Sequence, residues 1–163
     1  MVIGYCYLVA DVIHAGHLLH IKNCSKLCDV LFAGILSDKA VMEKKNKPIL
    51  SLLERIFIVD SLEFVSCTVC QDTYSPLDNC KAIRPDILFE SSSHSEMPAN
   101  NFIKSIGSRV IVMPYYSEQS STNIKEKIYE IKIPENLDTT IGSHSNINRV
   151  CRDGVQQKDH PNA

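Results

Sequence analysis

Two histidines stand three residues apart in the segment His14-Ala15-Gly16-His17. At this spacing on the first turn of a helix, both imidazoles face the same way. Gly16 lets the backbone approach a ligand closely, and a helix N-terminus adds unpaired N–H groups and partial positive charge. The segment therefore predicts a site for a polyanion whose charge grows during a reaction. A polar turn with two surface histidines stays open as the alternative. A metal site has less support, because no third histidine or carboxylate stands at ligand spacing.

Three hydroxyl side chains, Ser120, Ser121 and Thr122, open the last predicted helix. Hydroxyls and free N–H groups at the start of a helix can hold a phosphate. Ordinary helix capping is the alternative, and it suffices for this segment taken alone. Because the segment follows the last predicted strand, we expect it on the same sheet edge as the two histidines, which favours phosphate binding.

A basic loop, residues 43–48, is expected at the same edge, and Arg55 follows it in the next predicted helix. Lysine neutralises phosphates as a point charge, whereas arginine grips them with a planar fork. Lys45 and Lys47 are interpreted as solvated surface charges. Lys44 and Arg55 become candidate site residues only through the family resemblance given below.

The cysteines are interpreted as structural. Cys67-x-x-Cys70 lies in an apolar strand pattern and lacks the second ligand pair that a zinc site needs. All seven cysteines together make an odd number, and most lie within apolar patterns. Reduced, buried thiols of a cytoplasmic protein are therefore expected.

The elements that must position these residues alternate between strands and helices. Predicted strands cover residues 3–10, 30–36, 64–69, 85–89 and 109–113. Predicted helices cover residues 17–28, 39–42, 51–62, 79–83, 102–106 and 120–130. Short apolar runs suit parallel strands that are buried on both faces. The pattern predicts an α/β fold, a doubly wound, Rossmann-like parallel five-stranded sheet with helices on both faces. Its ligand would lie beyond the carboxyl ends of the strands.

Length and charge limit the classes of protein. The 163 residues suit one domain, predicted as residues 1–130, with a polar and flexible tail over 131–163. A net charge of −2 argues against a general nucleic-acid or anionic-membrane binder. No apolar run reaches the roughly 18 residues of a membrane span. Polar residues at Asp11 and His14 interrupt any signal-peptide core, so a cytoplasmic location is expected.

Taken in order, these pieces resemble the cytidylyltransferase family of HxGH nucleotidyltransferases over about residues 3–130. The family includes the glycerol-3-phosphate, phosphocholine and phosphoethanolamine cytidylyltransferases. Residues 10–17 are most similar to the phosphonate branch, whose members are associated with phosphoenolpyruvate mutase and carry an ADxIHxGH pattern. Further similarity to that branch lies in residues 36–41, in 71–73 with 77–88, and in 114–116.

The resemblance implies a reaction in which CTP and a small phosphonate or phosphomonoester give a CMP-linked product and pyrophosphate. Acceptors of this kind are 2-aminoethylphosphonate, phosphocholine and phosphoethanolamine. Mg²⁺ is expected to accompany CTP, and a homodimer is expected from the family.

Site roles also follow from the resemblance. His14 and His17 would stabilise the α-phosphate and the bridging oxygen as pyrophosphate leaves, and Lys44 would neutralise the phosphates from the opposite side. Arg55 would approach the acceptor or the triphosphate. The other residues implied to bind or lie near the nucleotide are Asp11, Gly16, Ser120, Ser121 and Thr122.

The sequence departs from the family pattern in four places. Tyr7, Leu8 and Val9 stand where the family has small residues, and residues 91–94 replace a Gly-Asp-Asp-Trp segment. Glu118-Gln119 replaces Gly-Ile, which predicts a carboxylate near the phosphates, and Glu63 replaces a basic residue. Two alternatives therefore stay open, a non-catalytic nucleotide- or partner-binding relative and an ATP-using adenylyltransferase.

Overall fold

The computed structural model describes residues 1–91, 98–114, 116 and 118–131. Its strands are β1 (Ile3–Leu8), β2 (Val30–Leu36), β3 (Cys67–Gln71), β4 (Ile87–Ser91) and β5 (Arg109–Met113). Its helices are α1 (Ala15–Ser25), α2 (Asp38–Met42), α3 (Leu52–Asp60), α4 (Leu77–Ile83), α5 (Pro98–Ser105) and α6 (Ser121–Glu130). The strands form one sheet in the order β3-β2-β1-β4-β5, and every pairing is parallel. The predicted α/β, Rossmann-like fold is confirmed.

Helices cover both faces of the sheet because the strand side chains alternate between two apolar layers. In β4, Ile87 and Phe89 join the layer that contains α1 and α3, whereas Leu88 joins the layer that contains α4 and α5. Each such fully buried side chain contributes roughly 1.5–3 kcal/mol of apolar burial. The sheet is therefore a rigid base from which loops project at the carboxyl ends of the strands.

Residues Met1–Glu130 form one compact unit. The predicted polar tail lies, from residue 132 onward, outside the described residues. No helix in the described part of the chain has both the length and the apolar composition needed to cross a bilayer. The described cysteines are free thiols, with Cys6, Cys24 and Cys80 buried and Cys70 exposed.

Several predicted element boundaries were wrong. The third strand begins at Cys67 instead of Phe64, because Phe64 and Val65 pack against the core from the turn that follows α3. Helix α1 begins two residues earlier than predicted, at Ala15, since the side chain of His14 caps it. Helix α5 spans Pro98–Ser105 instead of 102–106, and Gly107 follows it at φ +78°.

Candidate active site

The loop from β1 to α1 turns sharply at Ala10. This fully buried residue has φ +60°, which is uncommon for a residue with a side chain. The turn leaves the carbonyl oxygen of Val9 facing Arg55, whose Nη1 donates to it at 2.7 Å. It also directs Asp11 and the histidine segment beyond the end of the sheet.

His14 and His17 lie side by side at the start of α1. His14 is the N-cap, and its Nδ1 accepts a hydrogen bond from the backbone N–H of Gly16 at 3.1 Å. The ring centroids of the two histidines are 4.1 Å apart. Because Nδ1 of His14 accepts, the proton of the neutral imidazole must be on Nε2, where it is available to a ligand.

The surroundings of both imidazoles favour the neutral form. Burial lowers the pKa of His14. For His17, burial and then the electrostatic influence of His14, His20 and Lys45 lower the pKa to about 4. Nδ1 of His17 is buried without a hydrogen-bond partner among the described residues. The pair therefore presents neutral imidazoles to a ligand, and a bound anion would raise these pKa values and favour the charged form.

Asp11 joins three segments of the chain. Its Oδ1 accepts hydrogen bonds from the backbone N–H groups of Ile49, at 2.7 Å, and Leu50, at 2.8 Å. Its Oδ2 forms an ion pair with Nζ of Lys125 on α6. Burial alone would raise the pKa of Asp11, but the hydrogen bonds from Lys125 and the two backbone groups outweigh it and hold the pKa below its usual value. The carboxylate is thus an anchor for the surrounding loops.

The start of α6 reaches the same loop. Ser120 Oγ caps the helix by accepting from the N–H of Asn123 at 3.1 Å. Ser121 Oγ donates to the carbonyl oxygen of Val12 at 3.0 Å. The side chain of Thr122 is exposed. Helix capping does not exclude ligand binding here, because the Ser120 oxygen caps the helix while its hydroxyl proton remains available to a ligand.

A cleft of about 830 Å³ lies at the carboxyl ends of β1 and β4. The structure brings eight of the nine predicted site residues into its wall: Asp11, His14, Gly16, His17, Lys44, Ser120, Ser121 and Thr122. The cleft therefore places two helix N-termini, two imidazoles and a lysine around one space, which is an environment for a polyanion.

Arg55 is the exception, and its predicted contact with the triphosphate or acceptor was wrong. The residue is completely buried. Its guanidinium donates to three backbone carbonyls and pairs with Asp38 Oδ1 at 2.6 Å. The same fork geometry that grips phosphates here satisfies the carbonyl groups at the ends of β1 and β2.

Other residues of the cleft were missed. Lys45 is exposed, as interpreted from the sequence, but it also lines the cleft beside Lys44, and its charge contributes to the lowered pKa of His17. Lys47 does not line the cleft. His20 lines the cleft one helical turn after His17, and burial lowers its pKa. The i, i+3 spacing of His17 and His20 was a signal in the sequence. Lys125 also lines the cleft, and nothing in the sequence linked it to Asp11.

The positions that depart from the family pattern lie in different places. Tyr7, Leu8 and Val9 line the cleft, and Tyr7 donates to Oε2 of Glu90 at 2.7 Å. Glu90 is fully buried, which raises its pKa to about 7 although the hydrogen bond from Tyr7 lowers it. Glu118 was predicted near the phosphates; instead it is exposed, accepts from the Tyr116 hydroxyl at 2.8 Å and is absent from the cleft wall. Of the Ser91-to-His94 segment, only Ser91 is among the described residues.

The chain is similar in sequence to known bacterial proteins. The chain is 30% identical over 122 residues to the bifunctional protein HldE of Campylobacter fetus subsp. fetus, covering 72% of this chain and 26% of that protein. It is 32% identical over 129 residues to the bifunctional protein HldE of Helicobacter hepaticus, covering 76% of this chain and 26% of that protein. The chain thus spans about a quarter of the length of these relatives.

Two solved structures share the fold. The lipopolysaccharide core biosynthesis protein from Thermoplasma volcanium superimposes with a TM-score of 0.62 at 20% identity, covering 71% of this chain and 97% of that one. Pantoate-beta-alanine ligase from Francisella tularensis, solved with beta-gamma ATP and beta-alanine, gives a TM-score of 0.51 at 17% identity, covering 80% of this chain and 70% of that one.

A parallel sheet whose first strand leads into His-x-Gly-His at a helix N-terminus defines the class of HxGH nucleotidyltransferases. Within that class, the family described as cytidylyltransferase-like matches residues 9–127. The chain belongs to the cytidylyltransferase-like family.

Proposed function

We propose that this nucleotidyltransferase moves CMP from CTP to a small phosphonate or phosphomonoester and releases pyrophosphate. The observation that carries the proposal is the shared cleft in which the His14 and His17 imidazoles and the start of α6 meet. The cleft combines donors for a reacting phosphate with a separate helix N-terminus for the leaving phosphates. This is the arrangement that in-line phosphoryl chemistry needs, because catalysis there is mostly positioning and charge stabilisation.

In the proposed step, an oxygen of the acceptor attacks the α-phosphorus of CTP. A new P–O bond forms while the bond from the α-phosphorus to the α,β-bridging oxygen breaks, and pyrophosphate leaves with the electron pair. His14 would donate from Nε2 to the α-phosphate region, because its Nδ1 is occupied by the N–H of Gly16. His17 would bind the bridging oxygen as its negative charge grows, and this charge would raise the pKa of the imidazole from about 4.

The lysines and hydroxyls would bind the rest of the triphosphate. Lys44 and Lys45 are exposed on one loop of the cleft and would neutralise the phosphates as mobile point charges. The hydroxyls of Ser120 and Thr122, with the N–H groups that open α6, would hold the β- and γ-phosphates. Ser121 would support them indirectly, since its hydroxyl already donates to Val12.

Mg²⁺ enters the proposal with the nucleotide. Among the described residues, no three acidic, histidine or cysteine side chains are grouped as metal ligands. Both oxygens of Asp11 accept from Ile49, Leu50 and Lys125. The described side chains therefore do not fit a metal site supplied by the protein, and the phosphate oxygens of CTP would be its ligands.

A direct assay tests the proposal. The purified chain is incubated with Mg²⁺, with CTP or ATP, and with 2-aminoethylphosphonate, phosphocholine or phosphoethanolamine, while pyrophosphate release is followed. We expect turnover with CTP, and we expect His17→Ala to reduce kcat by roughly 10²–10³-fold. The control is His160→Ala, because His160 lies outside residues 9–127, which match the family; its kcat should equal that of the unmodified chain.

Each other outcome has a defined meaning. Turnover with ATP and not with CTP would contradict CTP as the nucleotide and identify an adenylyltransferase. Binding of CTP in calorimetry with no turnover for any acceptor would contradict the proposed reaction and favour a nucleotide-binding relative. Light scattering of the same sample tests the expected homodimer, and cell fractionation tests the expected cytoplasmic location.

A further inference from the structure

Helix α6 is held to the β1–α1 loop by polar contacts on one of its faces. Ser121 and Lys125 are four residues apart and therefore lie on the same side of the helix. Ser121 Oγ donates to the carbonyl oxygen of Val12, and Lys125 Nζ pairs with Asp11. No side chain of α6 is fully buried, although Ile124 is half-buried, so the two polar contacts are the specific anchors of the helix. These contacts with two consecutive loop residues therefore decide where the start of α6 lies.

Asp11 is a rigid partner for Lys125. The side chain of Asp11 is 5% exposed, and its other oxygen is fixed by the N–H groups of Ile49 and Leu50. The Lys125 side chain is 28% exposed and belongs to the cleft wall. A flexible lysine bound to an immobile carboxylate fixes the helix that carries it.

We propose that Lys125 is a positioning residue that acts through Asp11, an inference that rests on the proposed function. The pair holds the start of α6, with Ser120 and Thr122, at a set distance across the cleft from His14 and His17. Loss of the pair leaves the helix start free to shift, so the β- and γ-phosphates lose their binding groups. Those groups already bind the β- and γ-phosphates before the reaction, so the loss raises KM for the nucleotide.

A direct contact between Lys125 and a phosphate would also raise KM, and a double-mutant cycle separates the two roles. The variants are Lys125→Met, Asp11→Asn and the double variant. Asparagine keeps a carbonyl oxygen for Ile49 and Leu50 but presents an amide donor to Lys125, so it removes the pair alone. If Lys125 acts through Asp11, each single variant raises KM about tenfold and the double variant raises it no further. Independent effects that multiply in the double variant would overturn the proposal.

The matched control is Lys127→Met, on the exposed side of the same helix and outside the cleft wall. Its KM should equal that of the unmodified chain. Lys125→Arg keeps the charge and the hydrogen bond to Asp11, and it should recover most of the affinity that methionine loses. Equal KM values for Lys125→Met and Lys127→Met would overturn the proposal.

Hydrogen exchange supplies a readout that needs no turnover. Amide exchange over residues 121–130 should accelerate at least tenfold in Lys125→Met and Asp11→Asn and stay unchanged in Lys127→Met. A chain that fails to turn over any nucleotide but shows this exchange pattern would contradict the proposed function and retain the positioning of α6. Unchanged exchange in Lys125→Met would overturn the positioning role itself.

Discussion

Asp11 and Arg55 hold the two sides of one peptide segment. The carboxylate of Asp11 accepts from the N–H of Leu50 at 2.8 Å, and Nε of Arg55 donates to the carbonyl oxygen of Leu50 at 3.2 Å. Leu50 closes the loop that carries Lys44 and Lys45. The cationic side of the cleft is thereby fixed to the same two side chains that fix the turn after β1.

Arg55→Met should destabilise the fold. Nη1 of Arg55 donates to the carbonyl oxygens of Val9 at 2.7 Å and Leu36 at 2.6 Å, and the substitution leaves both without this donor. We expect a loss of about 3–5 kcal/mol in the free energy of unfolding, measured by urea denaturation. Arg109→Met, at an exposed position of β5, should change it by less than about 0.5 kcal/mol. A stable Arg55→Met chain that had lost only activity would return Arg55 to a substrate-binding role.

His17 should make the fold less stable in mild acid. Its pKa falls from 6.5 to about 4 on folding, so between these values the unfolded chain binds the proton and the folded chain does not. Stability should therefore fall as pH decreases from 7, by roughly 2 kcal/mol at pH 5 for this group. Urea denaturation of His17→Asn at both pH values should show a correspondingly smaller difference than the unmodified chain. An identical difference in both chains would contradict the buried, neutral imidazole.

Glu90 should make the fold less stable as the pH rises, which is the opposite of the effect of His17. Burial raises its pKa from 4.5 to about 7, so the unfolded carboxyl group loses its proton first and stability declines as pH rises through this range. Glu90→Gln cannot ionise, and its stability relative to the unmodified chain should increase by roughly 2–3 kcal/mol between pH 5 and pH 8. The exposed Glu63→Gln is the control for the same urea measurements. If the difference in the free energy of unfolding between Glu90→Gln and the unmodified chain stays constant from pH 5 to pH 8, the raised pKa of Glu90 is contradicted.

Two glycines should respond to alanine for different reasons. A Cβ on Gly16 would lie 2.8 Å from Cε1 of His14 and 3.1 Å from Cδ1 of Tyr116, so it should displace the imidazole and reduce kcat at least tenfold. A Cβ on Gly107 meets nothing within 4 Å, but φ is +78° there. Gly107→Ala should therefore lower the free energy of unfolding by about 1 kcal/mol and leave kcat unchanged. Equal kcat for both variants would contradict the steric role of Gly16.

The sheet and most of the cleft could be predicted because they depend on local patterns. The apolar runs at 30–36 and 109–113 became β2 and β5 with the predicted bounds. Asp11 and the histidines follow β1 directly, and the parallel topology carries them to the edge where Ser120 and Ser121 also arrive.

The errors concern side-chain partners that are distant in the sequence. Arg55 donates to the carbonyl groups of residues 9 and 36, which lie 46 and 19 positions away, and no spacing rule links an arginine to such distant acceptors. Lys125 meets Asp11 across 114 positions for the same reason. Lys44 and Lys45 line the cleft and Lys47 does not, and neighbouring lysines in a loop look alike in sequence, so only the loop conformation decides which of them reach the cleft.

The cap of α1 has an evolutionary consequence. Capping requires only a side-chain acceptor for the N–H of Gly16, and asparagine, aspartate or serine supplies one at least as well as the imidazole of His14. One substitution at this position can therefore remove the imidazole while the helix, the sheet and the cleft persist. In descendants of this chain, the architecture and the histidine pair can therefore be inherited separately, because the cap accepts several side chains whereas the pair requires an imidazole at position 14.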